Sequence, residues 1–330
     1  MNSMRILIAV GKEAAPRRDV QDALRCAASV ESTLIKKGFA AQTLYVAEED
    51  LRNPEAITAA ILEKKPDCVF NLFEGFGCNS QSEAEFAHIL EAASLPHTGN
   101  TARTLRLCLS KAQTKQILRD NGVSVPGGVF IKQGEAVSYD ALPCPLFIKP
   151  CYEDASVGID MDSLVADPKA LFGALDKKLK EFPEGIIAEE FMPGIEYNVG
   201  VLGFFPFEVL GISVMDYSLH SGIAPFMTYA AKWEDDSPEF KALVPSPEQA
   251  IDGALKISLA ECAAEAGRAL GCRGYFRVDM REKDGMIFVI DVNPNPDINM
   301  DSGFIRQAYH KGYTYAEVLE KILQAALAER

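Results

Sequence analysis

Through the first hundred residues, short apolar runs alternate with stretches of helical periodicity, and that alternation leaves few folds open. Arg5–Val10 reads as a strand, after which Val20, Ala23, Leu24, Ala27, Val30 and Leu34 recur on one helix face. Gly38 stops that helix, and Ala40–Val46 returns as a strand. Ala56, Ile57, Ala60 and Ile61 mark a second helix, Cys68–Leu72 a third strand, and Phe86, Ala87 and Leu90 a third helix. Strands joined through helices run parallel, so the predicted fold here is an open, doubly wound sheet covered by helices, an α/β domain.

From Lys111 the character becomes α+β. A short helix ends at Asn121-Gly122, and strands then predominate: Leu146–Lys149, Gly185–Glu189, Glu196–Leu202 and Phe207–Ile212. Residues 213–245 are polar and irregular, a length that predicts a functional or mobile loop. Ser246-Pro247-Glu248-Gln249 predicts the capped start of a long helix that closes at Gly271. Thr314 and Glu317 cap a last amphipathic helix. A chain of 330 residues has room for more than one core, and the division expected is 1–110, 111–189 and 190–330.

The hairpin around Lys283-Asp284-Gly285 carries the most chemistry. Residues two apart share a strand face, so Arg277 lies with Asp279, and Asp291 with Asn293. A three-residue loop at 283–285 sets Arg277 opposite Asp291 and leaves Val278, Met280, Phe288, Ile290 and Val292 as an apolar reverse face. A two-residue loop splits the polar set between faces, so burial predicts the three-residue register. Two carboxylates and a carboxamide on one face suit a hard cation such as Mg²⁺ shared with phosphates. A solvated face with an Asp–Arg ion pair is the plainer alternative.

Other signals are weaker singly. Lys149 ends an apolar strand beside the small-residue loop 153–158, an arrangement that brings a cation and backbone N–H groups to phosphate oxygens. Glu189, Glu190, Phe191, Met192 and Glu196 combine carboxylates with surfaces on which a base and ribose can rest. Neither G-x-x-x-x-G-K-[ST] nor G-x-G-x-x-G occurs. A net charge of −14 argues against binding a nucleic-acid backbone. Ile6–Val10 is too short for a signal peptide or a membrane span, and the eight cysteines form no C-x-x-C pair. A cytoplasmic location is therefore expected, with small-molecule partners and no membrane or nucleic acid; a homodimer stays open.

Taken in order, the segments resemble the D-alanine–D-alanine ligase family of ATP-grasp enzymes over roughly the last 230 residues. Leu95-Pro-His-Thr98-Gly99 and Leu109-Ser-Lys111 are similar to its L-P-Y-T-G and M-D-K. Pro145-Leu-Phe-Ile-Lys149-Pro150 with Ser156-Val157-Gly158 resembles P-x-x-V-K-P and S-S-V-G. Tyr229-Ala-Ala-Lys232 resembles Y-x-x-K. Gly271-Cys-Arg-Gly274-Tyr-Phe-Arg277-Val-Asp279 and Asp291-Val-Asn293 resemble G-C-x-G-x-x-R-x-D and E-x-N.

The resemblance implies an ATP-grasp fold with an N-terminal parallel-sheet domain. It implies a ligase that makes an acyl phosphate from a carboxylate and ATP, then an amide from an amine. On this reading Lys111, Lys149 and Ser156 meet the phosphates; Glu189, Glu190, Phe191, Met192 and Glu196 hold adenosine. Asp279, Asp291 and Asn293 bind two Mg²⁺ ions, and Arg277, Lys232 and Ser156 act at the reacting centre. Arg17, Glu74, Tyr229, Asp297 and Ser302 fall in the amino-acid pocket. There the chain departs from the family. Arg17 stands where the family's ammonium-binding Glu falls and would attract a carboxylate instead. Asn71-Leu-Phe-Glu74-Gly75 lacks the family's His, Asp297 replaces a Gly, and Asp291 is shorter than the usual Glu. Two other classes remain: an ATP-binding protein without ligase chemistry, and a nicotinamide dehydrogenase, which the missing glycine fingerprint disfavours.

Overall fold

A computed structural model describes residues 3–13, 18–76, 79–135, 144–219, 222–234, 236–243, 246–247 and 251–328. The chain opens with β1 (Arg5–Gly11), α1 (Arg18–Lys36), β2 (Ala40–Val46), α2 (Glu48–Leu51), α3 (Pro54–Glu63) and β3 (Cys68–Asn71). β1 lies between β2 and β3, parallel to both. Its alternation feeds two cores. Ile6, Ile8 and Val10 meet Val30 and Leu34 of α1, while Leu7 and Ala9 meet Ile57 and Ile61 of α3. α4 (Gln81–Ala92) joins the second core through Phe86 and Leu90, and α5 (Ala102–Leu109) and α6 (Lys111–Asp120) follow.

A second sheet contains β4 (Gly128–Ile131), β5 (Leu146–Pro150), β6 (Leu164–Val165) and β7 (Ile186–Glu190), ordered β4-β7-β5-β6 and antiparallel. α7 (Pro168–Glu181) covers one face, where Leu171 and Leu175 meet Ile148, Ile186 and Ala188. Phe147, Lys149, Ile187 and Glu189 alternate onto the other face.

The third sheet is built from β8 (Glu196–Gly203) and β9 (Glu208–Met215), then, after α8 (Tyr229–Trp233) and α9 (Pro238–Ala242), β10 (Ser246–Pro247). α10 (Gly253–Leu270), β11 (Gly274–Lys283), β12 (Met286–Pro294), α11 (Gly303–His310) and α12 (Tyr315–Ala328) complete the chain. The strand order is β10-β9-β8-β11-β12. Leu259, Ala263 and Ala266 of α10 bury one sheet face with Val199, Val278, Met280 and Val292, and Leu118 of α6 joins them. α12 instead reaches back to the first sheet, adding Val318, Leu319 and Ile322 to the core of Ile6 and Ile8. Among the described residues no helix is long and apolar enough to cross a membrane.

Three expectations are corrected. The long helix starts at Gly253, where the Asp252 carboxylate accepts from Ala254 N and Leu255 N at 3.0 and 3.3 Å. Ser246 and Pro247 pair with Val214 and Ser213 instead, and an edge strand tolerates a Pro because its missing N–H faces outward. The stretch 213–245 is also less irregular than its composition: β9 runs on to Met215, and Thr228 and Ser237 cap α8 and α9 through Ala231 N and Phe240 N. Gly271, at φ +69°, stops α10 as the sequence predicts, and Thr314 and Glu317 cap α12 reciprocally.

The third correction concerns the hairpin. Lys283 pairs with Met286, so the loop is the two residues Asp284 and Gly285, both left-handed at φ +53° and +78°. Alone, that turn would split the polar residues between faces. A β-bulge at Ile290 restores the parity, so Asp279 faces Asp291 and Arg277 faces Asn293. Ile287, Val289 and Val292 therefore join the apolar face, in place of the Phe288 and Ile290 that the three-residue loop required.

Candidate active site

The bulge positions the floor of the site. On β8 and β11, Glu196 faces Arg281, Asn198 faces Asp279 and Gly200 faces Arg277, with Asp291 and Asn293 alongside on β12. Arg277 grips Asp279 with two bonds of 2.7 and 2.8 Å, and the amides of Asn198 and Asn293 each donate to the same carboxylate at 2.8 Å. Asn293 gives its Nδ2 to this bond, which leaves its Oδ1 for another partner. Burial, with Glu196 and Asp291 near, still pushes the Asp279 carboxyl up against the pull of Arg277. The face offers carboxylate and carboxamide oxygens, a donor set that fits a magnesium ion.

The roof comes from the second sheet and α6. Glu189 lies 3.0 Å from Lys149 Nζ and 2.9 Å from Lys115 Nζ, all three side chains buried. Burial opposes the Glu189 charge, yet the two lysines hold its carboxyl below the usual value. Lys149 is raised, since Glu189 and Asp291 overcome its burial. Lys115 is lowered, because burial and the repulsion of Lys149 outweigh the same carboxylate. Both ammonium groups also donate to the Ile290 carbonyl at 3.3 Å. A bulged residue drops out of the ladder, so its carbonyl is free to bridge the two sheets. Lys111, at the start of α6, donates to the Glu153 carbonyl and stands 3.9 Å from Asp291. Asp291 is buried, but Lys111, Lys149 and Lys115 bring its carboxyl below the ordinary value.

A lid of two segments meets this cleft. In the loop 153–158, Ala155 and Ser156 both take left-handed φ, +48° and +64°, a conformation that costs a non-glycine residue about 1 kcal/mol or more. Trp233 of α8 donates to the Ala155 carbonyl at 3.0 Å, and Tyr229 N donates to Ile159 O at 3.0 Å. These two bonds tie the loop to the helix. Lys232 of that helix is solvent-exposed, with its ammonium over the Trp233 ring, and its pKa is lowered by the surrounding cleft and then by Arg277; the Tyr229 side chain is exposed too.

At the hinge after β7, strand alternation separates the two glutamates. Glu189 turns to the lysines and Glu190 to Lys283. Phe191 packs in a buried aromatic cluster with Phe147 and Phe226. Arg281 ties this region together. It is 3% exposed and donates to Met192 O at 2.7 Å, Pro225 O at 2.9 Å and Glu196 at 3.0 Å, between the Phe191 and Tyr217 rings. Sequence reasoning missed it, although it continues the two-residue period of Arg277 and Asp279. Lys115, one helical turn beyond Lys111, was missed likewise.

A second crevice lies between the first sheet and the loop after β12, lined by Asn71, Leu72, Glu74, Glu83, Asn295 and Ile298. Glu74 reaches solvent yet lies deep in the cleft; burial first, then Asp297 and Asp154, push its carboxyl up to about 8. Asp297 and Asp22 are joined through Asn299 Nδ2, at 2.9 and 2.7 Å. Ser302 caps α11 through Ile305 N at 3.3 Å. Arg17 lies outside the described residues. Glu83 and Asp22 were not foreseen, having no motif around them, and Asn71 was noted only as the first residue of the segment that lacks the family's His.

Residues 127–324 match the family described as D-ala D-ala ligase C-terminus. The protein y4sG of Sinorhizobium fredii is 31% identical over 272 residues, 80% of this chain and 76% of that one. A D-alanine–D-alanine ligase of Syntrophotalea carbinolica is 28% identical over 238 residues, 72% of each chain. In three dimensions, D-alanine–D-alanine ligase from Bacillus anthracis, crystallised with ATP, aligns at a TM-score of 0.77 over 99% of this chain and 98% of that one, at 20% identity. That last likeness is one of fold. By the family match and the shared identity, the chain belongs to the D-alanine–D-alanine ligase family of ATP-grasp enzymes, which form carbon–nitrogen bonds.

Proposed function

We propose that the enzyme uses ATP with Mg²⁺ to phosphorylate a carboxylate and then joins the acyl group to an amine, releasing ADP and phosphate. The observation that carries this reading is the polar ladder of β8, β11 and β12 facing three lysines across the cleft. Asp279, Asp291 and Asn293 would hold the magnesium, which supplies charge neutralisation at the phosphates. Lys111 and Lys149 bind phosphate oxygens, and Glu189, with Lys115, keeps Lys149 in place. Glu190, Phe191, Met192 and Glu196 border the adenosine, with Arg281 fixing Glu196. Arg277 stabilises the negative charge that develops at the reacting carboxyl, and Lys232 reaches the transferred phosphoryl group. Closure of the Ser156 loop with α8 excludes water that would otherwise take the acyl group.

The test is Mg-ATP-dependent phosphate release across D- and L-amino acids and small carboxylates, singly and in pairs, D-alanine with itself among them. Release that requires an amine together with a carboxylate is expected. Release with no pair, at Mg-ATP concentrations that protect the protein against heat, overturns the ligase reading in favour of a nucleotide-binding protein.

A further inference from the structure

The buried face of α7 is the stripe Leu171, Leu175 and Lys178, spaced as successive turns of one helix face. An apolar residue would complete that stripe, yet the chain has a lysine there, and it is 2% exposed. A buried ammonium is costly unless acceptors meet it. Both acceptors found among the described residues lie at the end of the loop 153–158: Lys178 Nζ donates to Gly158 O at 2.8 Å and to Asp160 Oδ2 at 3.1 Å. Asp160 is itself held, its N–H donating to Ser163 Oγ at 3.1 Å. Gly158, at φ +71°, is seated between β5 and the residue after α7, since a Cβ there would fall 2.5 Å from Pro150 Cγ and 2.6 Å from the Phe182 ring.

From Gly158 the orientation passes back into the loop. A trans peptide is planar, so its C=O and N–H point in opposite directions. With Gly158 O drawn to Lys178, the N–H of the same peptide, that of Ile159, donates to Ser156 O at 3.0 Å. The Ser156 carbonyl in turn shares its peptide with Val157 N, which donates to Asp154 O at 2.9 Å. Two peptide planes are thus fixed in series from the lysine. Among the described residues, the N–H groups left without an acceptor are those of Ala155, Ser156 and Gly158. Ala155 and Ser156 are the two left-handed residues, and successive N–H groups in such a turn form a concavity that suits an anion.

We infer that Lys178 is a positioning residue for the phosphate loop. It acts through the loop, fixing the peptide planes between which the unbonded N–H groups are presented to phosphate oxygens. The inference rests on the ligase reading, in which that loop meets the phosphates of ATP.

The test compares the dissociation constants of Mg-ATP and of adenosine, measured by calorimetry on the full chain, in the wild type and in Lys178→Met. Adenosine lacks phosphates, so it reads the fold and the rest of the nucleotide site. Gly158 is half-buried, so water can take over its carbonyl and the variant is expected to fold. Lys178→Gln, one atom shorter and out of reach of Gly158 O, is the second variant should the first fold poorly. Mg-ATP is expected to bind about tenfold more weakly, the scale of one charge-assisted hydrogen bond, and adenosine to change by less than about twofold. An unchanged constant for Mg-ATP overturns the inference and leaves the ligase reading standing. Equal weakening of both ligands overturns it too, because Lys178 then serves the fold alone. If the wild type binds Mg-ATP no more tightly than adenosine, the loop does not hold phosphates, and the reading falls together with the inference.

Discussion

The two halves of the cleft handle charge in opposite ways. On the nucleotide side nearly every ion has an internal partner: Asp279 with Arg277, Glu189 with Lys115 and Lys149, Glu196 with Arg281. In the crevice between the first sheet and the loop after β12, the carboxyls of Glu74 and Glu83 are both pushed up to about 8, burial being the first cause for each. A site that binds one invariant ligand can be preorganised by its own ion pairs. On the other side, among the described residues, no cation outweighs the burial of Glu74 and Glu83. Preorganisation is therefore the property of the half proposed to bind the nucleotide.

The most damaging way to break the comparison is on the preorganised side. Asp279→Asn keeps the shape but removes the charge that anchors Arg277 and is proposed to hold the metal. Phosphate release is expected to fall by about 10³-fold or more, while the circular-dichroism spectrum is retained. Wild-type turnover in that variant removes Asp279 from the chemistry.

Arg281→Met comes next. It takes the guanidinium from Met192 O, Pro225 O and Glu196, and Glu196 is left with only the neutral Tyr217 hydroxyl and Asn198 amide for its charge. Breaking a buried pair in this way costs about 3–5 kcal/mol. A lower Tm is expected, together with a KM for ATP raised about tenfold and a smaller change in kcat, because the residue holds the segment proposed to border the nucleotide and not the reacting carboxyl. Adding Glu196→Gln should recover part of the stability by removing the orphaned charge. If the double variant is no more stable than the single one, Glu196 is not the partner that matters.

The same contrast explains what the sequence made legible. Arg277, Asp279, Asp291 and Asn293 lie within one hairpin, where strand alternation and the apolar reverse face predict that they gather. The register differed, yet the gathering survived, because burial of Val278, Met280 and Val292 forces the bulge at Ile290 to repair the parity of a two-residue turn. The parallel sheet was legible for the same reason: its period is local. By contrast, the crevice draws Asp22 from α1, Asn71 from β3, Glu83 from α4 and Asp297 from the loop after β12. No periodicity connects such positions. Helix N-caps such as Thr314 were read correctly where nothing competed, whereas the signature at Ser246 lost to an edge strand that only the tertiary fold supplies.

The smallest effect sharpens the comparison from the acidic side. The Glu83 carboxyl, raised by burial to about 8 against the pull of its bond from Asn295, is protonated in the folded protein over a pH range where the unfolded chain has already lost the proton. Between the ordinary carboxylate value and about 8 the folded state binds more protons, so stability declines as pH rises through that window and the loss is complete above it. Glu83→Gln keeps an acceptor for Asn295 Nδ2 and cannot ionise. It should therefore match the wild type near pH 4 and exceed it in Tm by about 1–3 °C above pH 8, the shift that roughly 1 kcal/mol produces in a chain of this size. A variant less stable than the wild type at high pH would mean that the Glu83 charge is already balanced within the protein, and the two halves of the cleft would then differ in position but not in principle.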